Sequence, residues 1–148
     1  MAWNSEFATN AMSALSSQIT QRETLAYSAV NRGMIAIQNS DYAQAIREFQ
    51  VAAAYKPDLA DTQIYMGRTY EMMDKTEEAI TAYKRASQID PRHVQSLYNL
   101  GVVYAFDLKD AKRAAEAWNR VVQVAPASPQ AAEARKLLDE MKQAPAAR

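Results

Sequence analysis

Residues 58–91 read DLADTQIYMGRTYEMMDKTEEAITAYKRASQIDP, a stretch with two helical patterns joined by a turn. Apolar or small residues recur every three to four positions in each half, which places them on one face of a helix. The positions with this spacing are Ile64, Gly67, Tyr70 and Met73, followed by Ala79, Ile80, Tyr83, Ala86 and Ile89. Asp74 and Glu77 between the halves match a capping box, and Pro91 ends the second half. The stretch predicts a hairpin of two helices.

Gly67 stands in the interior of the first helix, where glycine costs about 1 kcal/mol relative to alanine. A glycine at such a position indicates that a neighbouring helix approaches closely. Ala79 and Ala86, one heptad apart on the second helix, are predicted to lie on the other side of this contact.

The same pattern recurs along the chain with a period of 34 residues. This spacing relates Gly33 to Gly67 and Gly101, Pro57 to Pro91, Ala45 to Ala79, and Ala52 to Ala86. In the third copy Tyr104 keeps the register, but Ala114, Trp118 and Pro126 fall one residue late. We therefore expect a one-residue insertion in the turn at 107–110. A fixed period of this length is typical of stacked repeats.

These residues resemble the signature of the tetratricopeptide repeat (TPR) family, with repeats at 26–59, 60–93 and 94–128 within a region at 22–128. The first copy carries Gly33, Ala45, Phe49, Ala52 and Pro57, although Arg32 and Ala36 depart from the large apolar and aromatic residues usual there. The second copy adds Met66, Tyr70 and Tyr83, and the third carries Leu100, Gly101, Tyr104, Ala114, Trp118, Val121 and Pro126. The resemblance implies an all-α fold, a right-handed α-solenoid of helix-turn-helix repeats.

Residues 1–21 differ from the repeats because Glu6 is their only charged side chain. Apolar residues at Phe7, Ala11, Met12, Leu15 and Ile19 form one stripe of an amphipathic helix predicted at about 4–18. Thr20 and Glu23 match a second capping box, which predicts a restart of the helix there; one continuous helix is the alternative. The stripe needs a partner, which is the chain's own first repeat, another copy or a different protein.

The C-terminal region begins with Ser128 followed by Pro129, a strong helix-start signal. We expect a helix at 129–143 that caps the stack, because Lys136 stands where a fourth repeat would have its glycine. Residues 144–148 are predicted to be a disordered tail.

Composition excludes several classes of function. The formal net charge is zero, which gives no reason to expect nucleic acid as a partner. The chain contains no cysteine, which excludes disulfides, thiol catalysis and zinc sites built from cysteine. No run of residues is apolar enough to predict a membrane span. The N-terminus lacks the pattern of a signal peptide, so a cytoplasmic location is favoured, with a processed exported protein as the alternative.

Catalytic signals are also missing from the sequence. His93 is the single histidine and follows Pro91 in a turn, where a surface or helix-capping role is expected. No phosphate-binding loop, nucleophile motif or metal-ligand spacing occurs. We therefore expect no enzymatic activity, no cofactor and no bound metal.

The resemblance implies a concave groove lined by the first helix of each repeat. Its predicted protein-binding residues are Tyr27, Asn31, Met34, Tyr65, Arg68, Met72, Tyr98, Asn99 and Phe106. Some members of the family clamp acidic chaperone tails with lysines, an arginine and asparagines. The matching places here are Val30, Met34, Tyr65, Gln95 and Asn99, without a lysine, so this ligand is not expected.

Two functions therefore follow from the sequence. The first is a non-catalytic protein-interaction module or scaffold that holds a helical or extended apolar peptide segment in the groove. The second is a self-assembling subunit that forms homo-oligomers or filaments through Phe7, Met12, Leu15 and Ile19. In both cases the partner is a protein, either a different one or another copy of the chain.

Overall fold

A computed structural model describes the backbone of residues 2–144 and the side chains of residues 4–144; of the tail predicted at 144–148, residues 145–148 lie outside the described residues. Within the described part the regular structure is helical, with no strand. The α-helices are α1 (Ala2–Gln38), α2 (Tyr42–Tyr55), α3 (Ala60–Met72), α4 (Thr76–Ile89), α5 (Val94–Val102), α6 (Ala111–Val124) and α7 (Pro129–Gln143). A π-helical turn at Val103–Asp107 continues α5.

The chain divides into two compact units, the first over residues 1–59 and the second over residues 60–148. In the first unit α2 packs along the C-terminal half of α1. In the second, α3 packs against α4, α5 against α6, and α7 against α6. Short turns join the helices of each pair, so each pair is an antiparallel hairpin.

Helix α1 is one unbroken helix of 37 residues, so the predicted restart at Thr20 is wrong. The Thr20 hydroxyl donates to the carbonyl oxygen of Ser16 one turn earlier instead of capping a new helix. A threonine can form this bond inside a continuous helix, which is why a capping-box pattern does not by itself require a helix start.

The glycines mark the close contact within each hairpin, as predicted, but the facing side chain is aromatic and not alanine. A Cβ atom added to Gly67 would come under 3.0 Å from the ring of Tyr83. The corresponding contacts are Gly33 with Phe49 in the first unit and Gly101 with Trp118 in the second. The alanines beside each ring, such as Ala79 and Ala86, are fully buried.

The extra residue of the third copy is absorbed in the helix and not in the turn at 107–110. The amide of Leu108 donates to the carbonyl oxygen of Val103, five residues back, and the amide of Asp110 donates to that of Tyr104. A π-helical turn holds one more residue than an α-helical turn of the same length. The widened turn therefore leaves Gly101 and Tyr104 in place.

Three turns contain a non-glycine residue in the left-handed region, at Ser40, Asp74 and Lys109. In the first and third hairpins the next residue is an aspartate that caps the helix: Asp41 accepts from the Gln44 amide and Asp110 from the Arg113 amide. In the second hairpin Lys75 stands at that place and supplies no side-chain cap. The predicted cap at Asp74 is therefore wrong, because its φ of 56° belongs to the turn.

Candidate functional site

The predicted groove residues of the second unit are accessible on α3, α5 and the π-helical turn. Tyr65, Tyr98 and Asn99 are half-buried, and Arg68 is exposed. Met72 and Phe106 are the large apolar side chains of this unit most open to solvent, at 48% and 53% exposure. The three predicted residues of the first unit, Tyr27, Asn31 and Met34, are exposed on α1.

A polar cluster joins α3, α4 and α5. The Tyr83 hydroxyl, whose ring packs on Gly67, donates a hydrogen bond to the Glu71 carboxylate and is also hydrogen-bonded to Asn99. Burial raises the pKa of the Glu71 carboxyl, Asp107 raises it further, and the Tyr83 hydroxyl and Arg68 oppose the rise. Burial and the neighbouring Glu71 carboxylate also raise the pKa of Tyr83, which keeps its hydroxyl protonated as a donor.

Side-chain amides continue this cluster from α5 to α7. The Gln95 amide donates to the oxygen of Asn99 at 2.8 Å, and Gln130 of α7 donates to Gln95 at 3.3 Å. Amide side chains carry both donors and acceptors, so they can form hydrogen bonds with the backbone of an added peptide segment. These residues place uncharged polar groups along the face formed by α3, α5 and α7.

An apolar pocket of about 400 Å³ lies next to this face, between the π-helical turn, α6 and α7. We call it the Phe106 pocket. Its apolar lining includes Phe106, Trp118, Leu137 and Met141. Trp118 is held by its contact with Gly101 and by a hydrogen bond from its indole nitrogen to the Tyr98 carbonyl oxygen at 3.3 Å. The pocket therefore has a fixed floor and an exposed phenyl ring at its edge.

His93 has a structural role as the N-cap of α5, as expected. Its Nδ1 atom accepts a hydrogen bond from the Ser96 amide at 3.3 Å, and its Nε2 atom lies 3.1 Å from the Asp61 carboxylate. Since Nδ1 is the acceptor, the neutral tautomer with a proton on Nε2 donates to Asp61. Both ring nitrogens are thereby occupied within the second unit.

Two further properties of residues 2–144 bear on function. Their His, Asp and Glu side chains form no group of three or more that could hold a metal ion. None of the helices in the same range combines the length and hydropathy needed to cross a membrane.

Sequence reasoning missed part of this site. The sequence patterns place none of Glu71, Gln130, Leu137 and Met141 on a binding face. The 34-residue period offered a signal for Glu71, because its counterpart in the third copy is Ala105. A charged residue where the next repeat has a small side chain indicates a contact specific to this repeat. Here that contact is the hydrogen bond from the Tyr83 hydroxyl.

Comparison with known sequences agrees with this architecture. Residues 73–105 match the family described as TPR repeat, and residues 95–128 match tetratricopeptide repeat. Photosystem I assembly protein Ycf3 of Acaryochloris marina is 30% identical over 122 residues, which cover 72% of this chain and 74% of that protein.

Solved structures show the same fold at lower identity. The TPR2B domain of yeast Sti1, in complex with an Hsp70 peptide, has a TM-score of 0.71 at 19% identity, covering 81% of this chain and 98% of that one. The second TPR domain of human RPAP3, bound to the HSP70 peptide SGPTIEEVD, has a TM-score of 0.70 at 21% identity, covering 83% and 99%. The predicted all-α solenoid fold class is confirmed, and the chain belongs to the tetratricopeptide repeat family.

Proposed function

We propose that this protein is a protein-interaction module whose second unit holds a helical or extended apolar segment of a partner protein. The segment lies on the face formed by α3, α5 and α7 and places one apolar side chain in the Phe106 pocket. The observation that carries the proposal is this pocket beside a row of uncharged polar groups. Binding sites of this kind combine an apolar cavity with a few fixed polar groups that orient the ligand.

The pocket is suited to a single large apolar side chain. Phe106 is 53% exposed at its edge, whereas Trp118 on its floor is 1% exposed and fixed. An added leucine or phenylalanine side chain would bury part of the Phe106 ring, and full burial of such a side chain contributes about 1.5–3 kcal/mol. Met141 beside the ring can adjust its shape to different side chains because methionine is unbranched and flexible.

The pocket adjoins the π-helical turn Val103–Asp107. Such turns occur frequently at functional sites, because the extra residue changes the direction of the side chains that follow. In this chain the turn carries Phe106, which lines the pocket, and Asp107, which acts on Glu71 of the polar cluster. The same local distortion therefore supports both parts of the proposed binding face.

Peptide complexes of related folds support the general role. The Sti1 and RPAP3 domains were solved with Hsp70 peptides, which shows that this fold can hold a short peptide. The binding face of this chain differs in charge, because the places that match the clamp of lysines, an arginine and asparagines include Tyr65, Gln95 and Asn99 here and hold no lysine. An apolar segment is the better fit.

A peptide-display experiment tests this function. The full chain is immobilised and screened against a random library of short peptides, and selected peptides are titrated by fluorescence anisotropy. We expect the selected peptides to share one large apolar residue. The variant Phe106→Glu, which puts a charge at the edge of the pocket, should weaken their binding at least about tenfold.

Val51→Glu is the matched control, because Val51 is also an exposed apolar residue but lies on α2 in the first unit. It should bind the peptides as the wild type does. Equal binding by Phe106→Glu and the wild type would contradict the use of the pocket. Selection of acidic peptides without an apolar residue would contradict the proposed ligand class.

A further inference from the structure

The N-terminal half of α1 is solvent-exposed within the part of the chain that the structure describes. All described side chains from residue 4 to 22 are exposed, including Phe7 at 78%, Met12 at 69%, Leu15 at 52% and Ile19 at 51%. Helix α2 ends at Tyr55, and Lys56 directly after it forms an ion pair with Glu23 of α1 at 2.9 Å. Glu23 therefore marks the position on α1 beyond which α2 no longer packs against it. The segment 4–19 therefore extends for roughly 24 Å with an uncovered apolar stripe.

The stripe continues the face that α2 covers. In the covered half of α1 the buried residues are Ala26, Ala29, Gly33 and Ala36, which alternate in steps of three and four. The same alternation, carried back from Ala26 through Arg22, gives Ile19, Leu15, Met12 and Ala8, whereas Phe7 lies outside this seam. This alternation of three and four is the spacing of helices that pack along their length. Among residues 4–144 the exposed half therefore has the seam of a helix pair without a second helix packed on it.

We propose that this second helix is the same segment of another copy, so that two chains pair antiparallel through residues 4–19. In such a pair, with the two-fold axis between Ser13 and Ala14, Ala8 faces Ile19 of the second copy and Met12 faces Leu15. The two ends of the stripe are then complementary in size, a small side chain opposite a large one. Layers of alternating small and large residues pack without cavities.

The charge pattern favours a second copy over a different protein. The positions that flank the seam are Thr9, Ala11, Ser16 and Gln18, all uncharged. Glu6, the single charge of residues 4–21, lies on the side of the helix opposite the stripe, because it is placed about half a turn from Leu15. Two identical segments can therefore approach without the repulsion that like charges produce. An interface of this symmetry closes at the dimer, since both copies contribute the same stripe to it.

Sedimentation velocity over a roughly hundredfold concentration series tests the pairing. We expect a reversible monomer–dimer equilibrium that does not grow beyond the dimer. Leu15→Glu places two charges near the two-fold axis and should raise the dissociation constant at least about tenfold. Ser17→Glu, on the opposite side of α1, is the matched control and should leave it unchanged. Leu15 is half-exposed in the single chain, so at concentrations where the wild type is monomeric both variants should keep its melting temperature.

Because the chain contains no cysteine, single cysteines can report the orientation. An equimolar mixture of Ala8→Cys and Ile19→Cys should form a disulfide-linked dimer under mild oxidation, whereas each variant alone should not. Efficient cross-linking of Ala8→Cys alone would indicate a parallel pair and overturn the proposal. A monomer at every concentration, or a mass that keeps growing past the dimer, would also overturn it, since the stripe would then bind elsewhere. Neither result affects the Phe106 pocket, which lies in the other unit.

Discussion

The hairpins α3–α4 and α5–α6 share one plan but differ at three places. Both bring a glycine of the first helix against an aromatic ring of the second. In α3–α4 the ring is Tyr83, whose hydroxyl needs Glu71 as an acceptor; in α5–α6 it is Trp118, which donates to a backbone carbonyl. The turn of α3–α4 lacks a side-chain cap, and α5 alone is extended by a π-helical turn.

This comparison separates what defines a repeat from what adjusts it. Both hairpins keep the glycine–aromatic contact. They keep it although α5 holds one extra residue, α4 lacks a side-chain cap, and Tyr83 has the charged partner Glu71. The contact is sensitive because a helix pair packed at this distance has no space for another side chain. Turns and surface hydrogen-bond partners can vary because each contributes only about 1 kcal/mol to the free energy of unfolding.

The largest expected effect comes from filling the contact. Gly67→Leu and Gly101→Leu should each lower the free energy of unfolding by about 4 kcal/mol, because the new side chain would overlap the facing ring. The effect should be at least as large at Gly101, since both facing rings are fully buried and the indole of Trp118 is the larger of the two. Urea denaturation followed by circular dichroism measures both.

Lys84→Leu, an exposed substitution on α4, is the control for adding a leucine to a helix. It should change the free energy of unfolding by less than about 0.5 kcal/mol. Wild-type stability in Gly67→Leu would contradict the close contact.

The next largest effect concerns the cover that α7 gives to α6. Leu137→Asp combined with Leu138→Asp puts two charges into a half-buried apolar contact and should cost about 2–3 kcal/mol. Hydrogen exchange should then show a larger loss of protection in α5–α6 than in α3–α4, and the variant should associate through the uncovered surface. Unchanged protection of residues 94–124 would mean that α7 does not cap the second unit.

A smaller, pH-dependent effect distinguishes the polar cluster of α3–α4. Burial raises the pKa of Glu71 in the folded protein, so its ionisation opposes folding. This cost is absent below the unfolded-state pKa, about 4.3, and is complete above the folded-state pKa. Stability attributable to Glu71 therefore falls as pH rises through this window. Glu71→Gln should remove the fall and gain less than about 1 kcal/mol at pH 7, because solvent screens the half-exposed carboxylate.

Urea denaturation at several pH values from 4 to 7 measures this difference between wild type and variant. Glu78→Gln, on an exposed carboxylate at the start of α4, is the matched control and should retain the wild-type pH dependence. If the free energy of unfolding of Glu71→Gln and of the wild type changed with pH in the same way, ionisation of Glu71 would not destabilise the fold.

The smallest expected effect comes from giving the α3–α4 hairpin the side-chain cap that the α5–α6 hairpin has. Lys75→Asn supplies an oxygen to the Glu78 amide at the place where Asp110 accepts from Arg113, and should raise the free energy of unfolding by about 0.5–1 kcal/mol. Asparagine avoids adding a third negative charge next to Glu77 and Glu78. The reciprocal variant Asp110→Ala should lower stability. If Lys75→Asn were neutral, the turn at Asp74 would not present its next residue as a cap.

The predictions made from sequence succeeded where the signal is local or periodic. The 34-residue spacing predicted the glycine contacts, and the predicted helix start at Ser128 is confirmed. The cap at Asp74 was wrong because the motif does not specify backbone dihedral angles, and Asp74 takes a positive φ. The binding-face residues remain predictions, which the peptide titrations address, and the repeat boundaries also remain predictions.

Local pattern determined that α1 is helical and which of its faces is apolar, because both follow from 3.6 residues per turn. The repeat period determined that helices pair through glycine, because only glycine permits that distance. The tertiary structure decided where the extra residue of α5 lies, since a loop and a π-helical turn can both hold it. It also decided that the α1 stripe is uncovered, because burial depends on where distant segments end, and α2 stops at the level of Glu23.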